Sequence, residues 1–142
     1  DPANEPDIAY AHLFSYFRGE EWRTQKETQR LLDKYFTTKP NGIPGNDDTG
    51  TMSAWAIFNM IGFYPDCPGL PEYTLTTPVF NKVTIRLDPK WYKEKELVIE
   101  SNRTQPGTLY INKVLLNGKK FNQYRITHDE LVHSQRILFD LK

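Results

Sequence analysis

The segment from Thr51 to Ile61 constrains the fold most, because it has helical length and apolar periodicity yet no charged side chain. Its apolar residues Met52, Trp55, Ala56, Phe58 and Met60 spread around most of a helix instead of along one stripe, and Gly62 stands where a C-terminal stop belongs. A helix that is apolar nearly all round must be covered over most of its circumference. The loop before it holds Pro40, Gly42, Pro44 and Gly45, which keep a helix from starting early.

The rest of the chain divides by periodicity. A helix is predicted from about Asp7, a plausible N-cap, to Phe17, with Ala11, Phe14 and Phe17 on one side and Gly19 at its end. A second is predicted from about Glu20 to Phe36, with apolar Trp22, Leu32, Tyr35 and Phe36 interrupted by Gln25 and Gln29. Later residues read as strands. Val83, Ile85 and Leu87 alternate with Thr84 and Arg86, and Leu97-Val98-Ile99, Leu109-Tyr110-Ile111 and Ile137-Leu138-Phe139 are short β-rich runs. Asn117-Gly118, between Leu115-Leu116 and Phe121, is the strongest hairpin signal. The expectation is an α+β chain, with a helical segment over residues 1–72 and a lobe of small antiparallel sheet over 73–142. Three helices, one of them apolar nearly all round, do not shield one another from water. Either the sheet covers them or helices outside this chain do, and the second is the expectation.

Composition excludes several classes. The 142 residues suit one domain or two small lobes. No run of about 18 apolar residues occurs, so no membrane span is expected. The opening Asp1-Pro2-Ala3-Asn4-Glu5-Pro6 lacks a basic start and an apolar core, and does not read as a signal peptide. Eighteen basic residues balance 18 acidic ones, which argues against nucleic acid, held mainly by phosphate neutralisation. The balance is uneven along the chain: residues 1–78 hold 11 acidic and 6 basic side chains, and residues 79–142 hold 7 and 12. A single cysteine, Cys67, excludes an internal disulfide, and His12, His128 and His133 share no metal-binding spacing. Asn102-Arg103-Thr104 fits a glycosylation acceptor, a pattern common by chance.

Chemistry concentrates in Gly45-Asn46-Asp47-Asp48-Thr49-Gly50, which sets two carboxylates and a carboxamide in a glycine-framed loop at the mouth of a buried helix. Asp48 or Thr49 capping that helix is the plain structural reading. Capping explains one acid and not two. Asp48-Thr49-Gly50 matches the aspartic-protease triplet, but here it leads into a helix and does not follow an apolar strand. An EF-hand fits less well still, because oxygen ligands do not alternate and no Glu follows at the twelfth position. The other reading, which stands beside capping, is a loop carboxylate that activates water against an anomeric carbon.

The run Gly42-Ile43-Pro44-Gly45-Asn46-Asp47-Asp48-Thr49-Gly50-Thr51-Met52-Ser53-Ala54-Trp55, continued by Gly62-Phe63-Tyr64-Pro65, Cys67-Pro68-Gly69 and Pro71-Glu72-Tyr73, resembles glycoside hydrolase family 92. Asn4-Glu5-Pro6, Tyr10 and Trp22-Arg23-Thr24-Gln25 resemble the preceding stretch of that family. The resemblance implies a calcium-dependent, exo-acting α-mannosidase, of the 1,2-linked type, that hydrolyses mannose-containing glycans with inversion. It implies that the chain holds the last helices of an (α/α)6 barrel followed by the C-terminal strands, with an N-terminal part of the same enzyme as its missing partner. By the same resemblance Asp47 and Asp48 stand on the base side, and which of the two is the base stays open. Asn46 and Thr49 are implied in substrate binding, and Asn4 and Glu5 as Ca²⁺ ligands. The family's general acid lies in a motif with Glu-Gly-Asn and Trp-Gln-Tyr, upstream of Asn4, that this chain lacks, so the isolated chain is expected to be inactive. A secreted or periplasmic location follows from the family. The competing class is a non-catalytic carbohydrate-binding or accessory module. Trp22 and Trp55 suit sugar stacking or a core, and Trp91 suits a surface or a lobe contact.

Overall fold

The computed structural model describes Pro2 and residues 4–142, apart from the side chain of Glu5. Two short 3-10 helices, Glu5–Asp7 and Tyr10–Tyr16, replace the expected helix from Asp7 to Phe17. The sequence spacing explains the difference. Ala11, Phe14 and Phe17 recur every three residues, which suits three residues per turn as well as an α-helix. The bonds are of the i+3 type, with the His12 N–H on the Ala9 carbonyl at 3.0 Å and the Phe17 N–H on the Phe14 carbonyl at 3.1 Å. The buried side carries Ala11, His12 and Ser15, while Phe17 is 63% exposed.

Helix α1 (Glu21–Tyr35) and helix α2 (Thr51–Ile61) follow, and α2 has the bounds the apolar run predicts. Gly62 ends α2 in a left-handed conformation with φ 118°. A Cβ on Gly62 would stand 2.7 Å from Pro78 Cγ, so this stop requires glycine for space as well as for conformation. Ala11, Leu31, Leu32, Trp55 and Ala56 form a small helical core. Phe36 stacks on Trp55 at 5.5 Å, and the Trp55 indole N–H donates to the Ile8 carbonyl at 2.9 Å.

The strands form two sheets. Strands β1 (Phe63–Tyr64), β2 (Glu72–Leu75) and β7 (Arg125–Thr127) make an antiparallel trio in the order β1-β2-β7. The second sheet has the order β3-β4-β8-β5-β6. Its strands are β3 (Lys82–Arg86), β4 (Glu96–Arg103), β5 (Ile111–Leu116), β6 (Lys119–Phe121) and β8 (Arg136–Leu141). The expectation of an antiparallel sheet needs correction here. β8 inserts between β4 and β5 and runs parallel to β4, from Val98 opposite Arg136 to Arg103 opposite Leu141. A parallel pair needs a long crossover, and residues 104–135 supply it through β5, β6, β7 and the short helix α3 (His128–Val132). Thr127 and Glu130 close a capping box at the start of α3. The β5–β6 hairpin turns at Asn117 (φ 48°) and Gly118 (φ 79°), both left-handed as a tight primed turn requires. Alternation buries Leu97 and Ile99 of β4, Ile111 and Val114 of β5, and Ile137, Phe139 and Leu141 of β8 in one core with Phe63 and Leu75.

Polar side chains also tie the helical elements to the trio of strands. Arg125 Nη1 on β7 donates to Asp66 Oδ2 at 3.2 Å and to Thr74 Oγ1 at 2.8 Å, and the Thr74 hydroxyl donates to Asp66 Oδ1 at 2.9 Å. Ser15 Oγ of the 3-10 helix lies 3.1 Å from Thr74 Oγ1. Gln25 of α1 accepts the Ile111 N–H at 2.9 Å, which joins α1 to the start of β5.

Candidate active site

The loop that begins α2 is built from its glycines upward. Gly42 closes a tight turn, taking the Thr37 N–H on its carbonyl and giving its own N–H to the Lys39 carbonyl, both at 2.9 Å. A Cβ on Gly42 would sit 2.0 Å from the Thr37 carbonyl oxygen, so no other residue fits there without moving the loop. The chain then rises into an arch in which Asp48 (φ 46°), Thr49 (φ 61°) and Gly50 (φ 94°) are all left-handed. Only glycine takes this conformation freely, and a β-branched threonine is an outlier in it. The arch therefore stores on the order of 1–3 kcal/mol at each of Asp48 and Thr49.

The arch divides labour between the two acids. Gly50 occupies the N-cap position of α2 and has no side chain with which to cap it. Asp47 does that work from three residues further back. Its Oδ1 accepts the Ser53 N–H at 2.8 Å, its Oδ2 accepts the Ser53 hydroxyl at 2.9 Å, and its main-chain carbonyl takes the Met52 N–H at 3.2 Å. The main-chain carbonyl of Asp48 accepts the Thr51 N–H at 3.2 Å and the Thr51 hydroxyl at 2.7 Å. The bland capping alternative named Asp48 or Thr49, whereas the capping carboxylate is that of Asp47. The Asp48 carboxylate caps nothing. It is exposed, as are Asn46 and Thr49, while Asp47 is half-buried. Both acids lie at the N-terminal end of α2. The arrangement can hold one carboxylate rigid and offer a second to a ligand.

Asn46, Asp47, Asp48 and Thr49 are contiguous on this arch, and the metal candidates lie elsewhere. Asn4 is exposed and its carbonyl receives the Asp7 N–H at 2.8 Å, while the side chain of Glu5 lies outside the described residues. Trp55 links the two regions, because α2 begins at the acid loop and its indole N–H holds Ile8. Among the described residues no group of three or more His, Cys, Asp or Glu side chains converges to hold a metal ion. The described residues, which do not include the Glu5 side chain, do not by themselves fit a calcium site.

The remaining candidates sort by burial. Trp55 is fully buried and belongs to the core, Trp22 is 41% exposed and meets Tyr110 edge-on at 6.3 Å, and Trp91 is 72% exposed. His128 Nδ1 pairs with the Tyr73 hydroxyl at 2.9 Å, and His133 Nδ1 with the Asp129 carbonyl at 2.8 Å. His12 is fully buried, stacked on Tyr64 at 4.5 Å, with Nε2 2.9 Å from Asn59 Oδ1. Burial pushes its imidazole below the ordinary histidine value. Sequence reasoning missed Ser53. The available signal was a hydroxyl at the third position of a helix whose N-cap is glycine.

Beside the arch, Phe36, Ile43, Ala56, Ile57 and Met60 line an open apolar groove of about 310 Å³, with Ser53 at its edge. α2 packs Trp55, Ala56 and Met60 into the helical core and Phe58 and Ile61 against the sheet core, and among its residues only Ala54 and Ile57 (53%) are exposed.

Comparison with known proteins is consistent along the whole chain. Residues 1–142 match the model of the glycosyl hydrolase family 92 catalytic domain. A family 92 α-mannosidase of Bacteroides thetaiotaomicron, solved in complex with mannoimidazole, superposes with a TM-score of 0.89 at 31% identity, over 99% of this chain and 18% of its own. A family 92 inverting mannosidase of Bacteroides thetaiotaomicron VPI-5482 gives a TM-score of 0.85 at 34% identity, over 99% and 18% of the two chains. A secreted glycosidase of Arthroderma benhamiae, itself uncharacterised, is 29% identical over 126 residues, which are 89% of this chain and 16% of that protein. The chain thus spans less than a fifth of the length of these relatives.

Proposed function

The chain belongs to glycosyl hydrolase family 92, and from that premise we propose that it supplies the base-side wall of an inverting α-mannosidase active site. Asp48 is the general base and Asp47 the carboxylate that holds the loop. The observation that carries this reading is the division of hydrogen bonds. Both oxygens of Asp47 are engaged by Ser53, and the exposed carboxylate of Asp48 is carried outward on a strained left-handed arch. Backbone strain of this kind collects at functional sites, where surrounding contacts over-determine it.

In the reaction, a water molecule attacks the anomeric carbon from the face opposite the leaving sugar. Asp48 takes the water proton as the new C–O bond forms. The glycosidic C–O bond breaks and the leaving oxygen receives a proton from an acid on the other side. Inverting enzymes keep the two carboxyl groups about 6.5–9.5 Å apart. Adjacent residues such as Asp47 and Asp48 do not straddle a sugar, so the acid comes from another part of a longer polypeptide. Asn46 and Thr49, on the same arch, are the nearest groups to contact the sugar hydroxyls.

On this reading residues 1–72 are the last helices of the (α/α)6 barrel and residues 73–142 a β lobe that braces it. The substrate is a glycan ending in α-1,2-linked mannose, cleaved from its end, and the protein is secreted, like the glycosidase relative. Calcium, with Asn4 and Glu5 as its contribution from this chain, belongs to the longer protein, and no step above depends on it. Replacing Asp48 by Asn in that protein tests the assignment. Loss of a general base lowers kcat by about 10²-fold or more, measured on an α-mannoside. A near-normal kcat returns the loop to a capping role.

A further inference from the structure

The geometry points to Ser53 as a positioning residue for the reaction, acting through Asp47 on the orientation of Asp48. This rests on the base-side reading of the loop and adds a residue to it. Ser53 is the third residue of α2 and donates twice to one carboxylate: its N–H to Oδ1 at 2.8 Å and its hydroxyl to Oδ2 at 2.9 Å. Two hydrogen bonds from one residue fix the plane of the Asp47 carboxylate. The Asp47 carbonyl in turn receives the Gly50 N–H at 3.1 Å and the Met52 N–H at 3.2 Å, and these bonds span the arch that carries Asp48. Ser53 thereby holds the residue next to the base, at the start of the arch, to the helix.

Its chemical consequence concerns aim. With both oxygens of Asp47 held by Ser53, the start of the arch is fixed to α2 and the exposed Asp48 carboxylate is presented in one direction. Without the Ser53 hydroxyl one of those two ties is lost, and Asp48 is less well aimed at the attacking water.

The test uses the longer family 92 protein that carries this chain, with Ser53→Ala, Ser53→Thr and Asp48→Asn measured side by side against an α-mannoside. Ser53→Ala is expected to lower kcat by about tenfold, the size of one hydrogen bond to a charged group, and to leave KM within about twofold. Ser53→Thr, which keeps the hydroxyl, restores most of kcat. A merely structural serine would lower thermal stability and leave kcat within about twofold of the parent, and that result overturns the proposal. If Asp48→Asn is inactive while Ser53→Ala matches the parent in kcat, the positioning role alone is wrong. If Asp48→Asn is as active as the parent, the base assignment falls first and the role of Ser53 with it.

Discussion

His12 shows what a single buried residue contributes here. It is fully buried between Tyr64 and Trp55, and its Nε2 meets Asn59 Oδ1 at 2.9 Å. Because the Asn59 amide nitrogen is given to the Trp55 carbonyl at 2.9 Å, the Asn59 oxygen faces His12 and the imidazole carries its proton on Nε2. Nδ1 has no partner among the described residues. Charging the ring would put a second N–H in that buried position. Burial depresses the pKa first, opposed by the Asn59 bond, by Asp66 and by the Ala9 backbone, and aided by Arg125. The sign follows: with the folded value below the ordinary ~6.5, the unfolded chain binds the extra proton first as pH falls. The stability that neutral His12 provides is complete above pH ~6.5 and is lost as pH drops through the window down to the folded value. Within that window the slope is about 1.4 kcal/mol per pH unit. Urea denaturation of the chain at pH 7 and pH 5 should show this loss, and His12→Gln should remove that component of the difference. Equal pH dependence in both would contradict it.

Among the elements, the turn after α2 and strands β2 and β7 share one buried ion pair. The Asp66 side chain is 1% exposed and Arg125 19%, with Arg125 also 3.3 Å from Glu72 and lying 4.2 Å over the Tyr16 ring. Replacing Arg125 by Met leaves Asp66 buried without its cation. Removing one partner of a buried pair costs about 3–5 kcal/mol, read as a lower denaturation midpoint. A change below about 1 kcal/mol would mean that the pair is effectively solvated. Asp66 and Arg125 stand 59 residues apart, so no local pattern in the sequence announces them. What was legible was local. α2 was bounded by Gly50 and Gly62, and the hairpin by Asn117-Gly118, because those residues fix backbone conformation where they stand. The parallel pairing of β4 and β8 was not legible, since it depends on a crossover of many residues. Nor was the 3-10 form of Tyr10–Tyr16, whose three-residue spacing suits either helix. At the site, the acid pair was visible in sequence and the split between its members was not. That split arises from three successive left-handed residues, and only Gly50 among them advertises the conformation.

Taken as a whole, the molecule has a well-filled sheet core and a sparse helical one. Among the described residues eleven buried ones make up the first cluster and five the second, and the exposed Ile57 of α2 lines the groove beside the acids. This imbalance agrees with a chain that covers 18% of its solved family relatives. A site built on one wall makes a direct prediction. On the proposed reading the 142 residues alone should not turn over an α-mannoside, because that reading assigns the acid that protonates the leaving oxygen to another part of a longer polypeptide. Turnover by the isolated chain would place both groups within it.

The most direct measurement is azide rescue of Asp48→Asn in the longer protein, on an α-mannoside with a good leaving group. Azide attacks the anomeric carbon without needing a base, so it replaces the water that Asp48 would deprotonate. The variant alone should be slower than the parent by about 10² or more. Azide should restore much of its rate and give a mannosyl azide of inverted configuration, while leaving the parent unaffected. A variant that matches the parent without azide would show that Asp48 takes no proton from water.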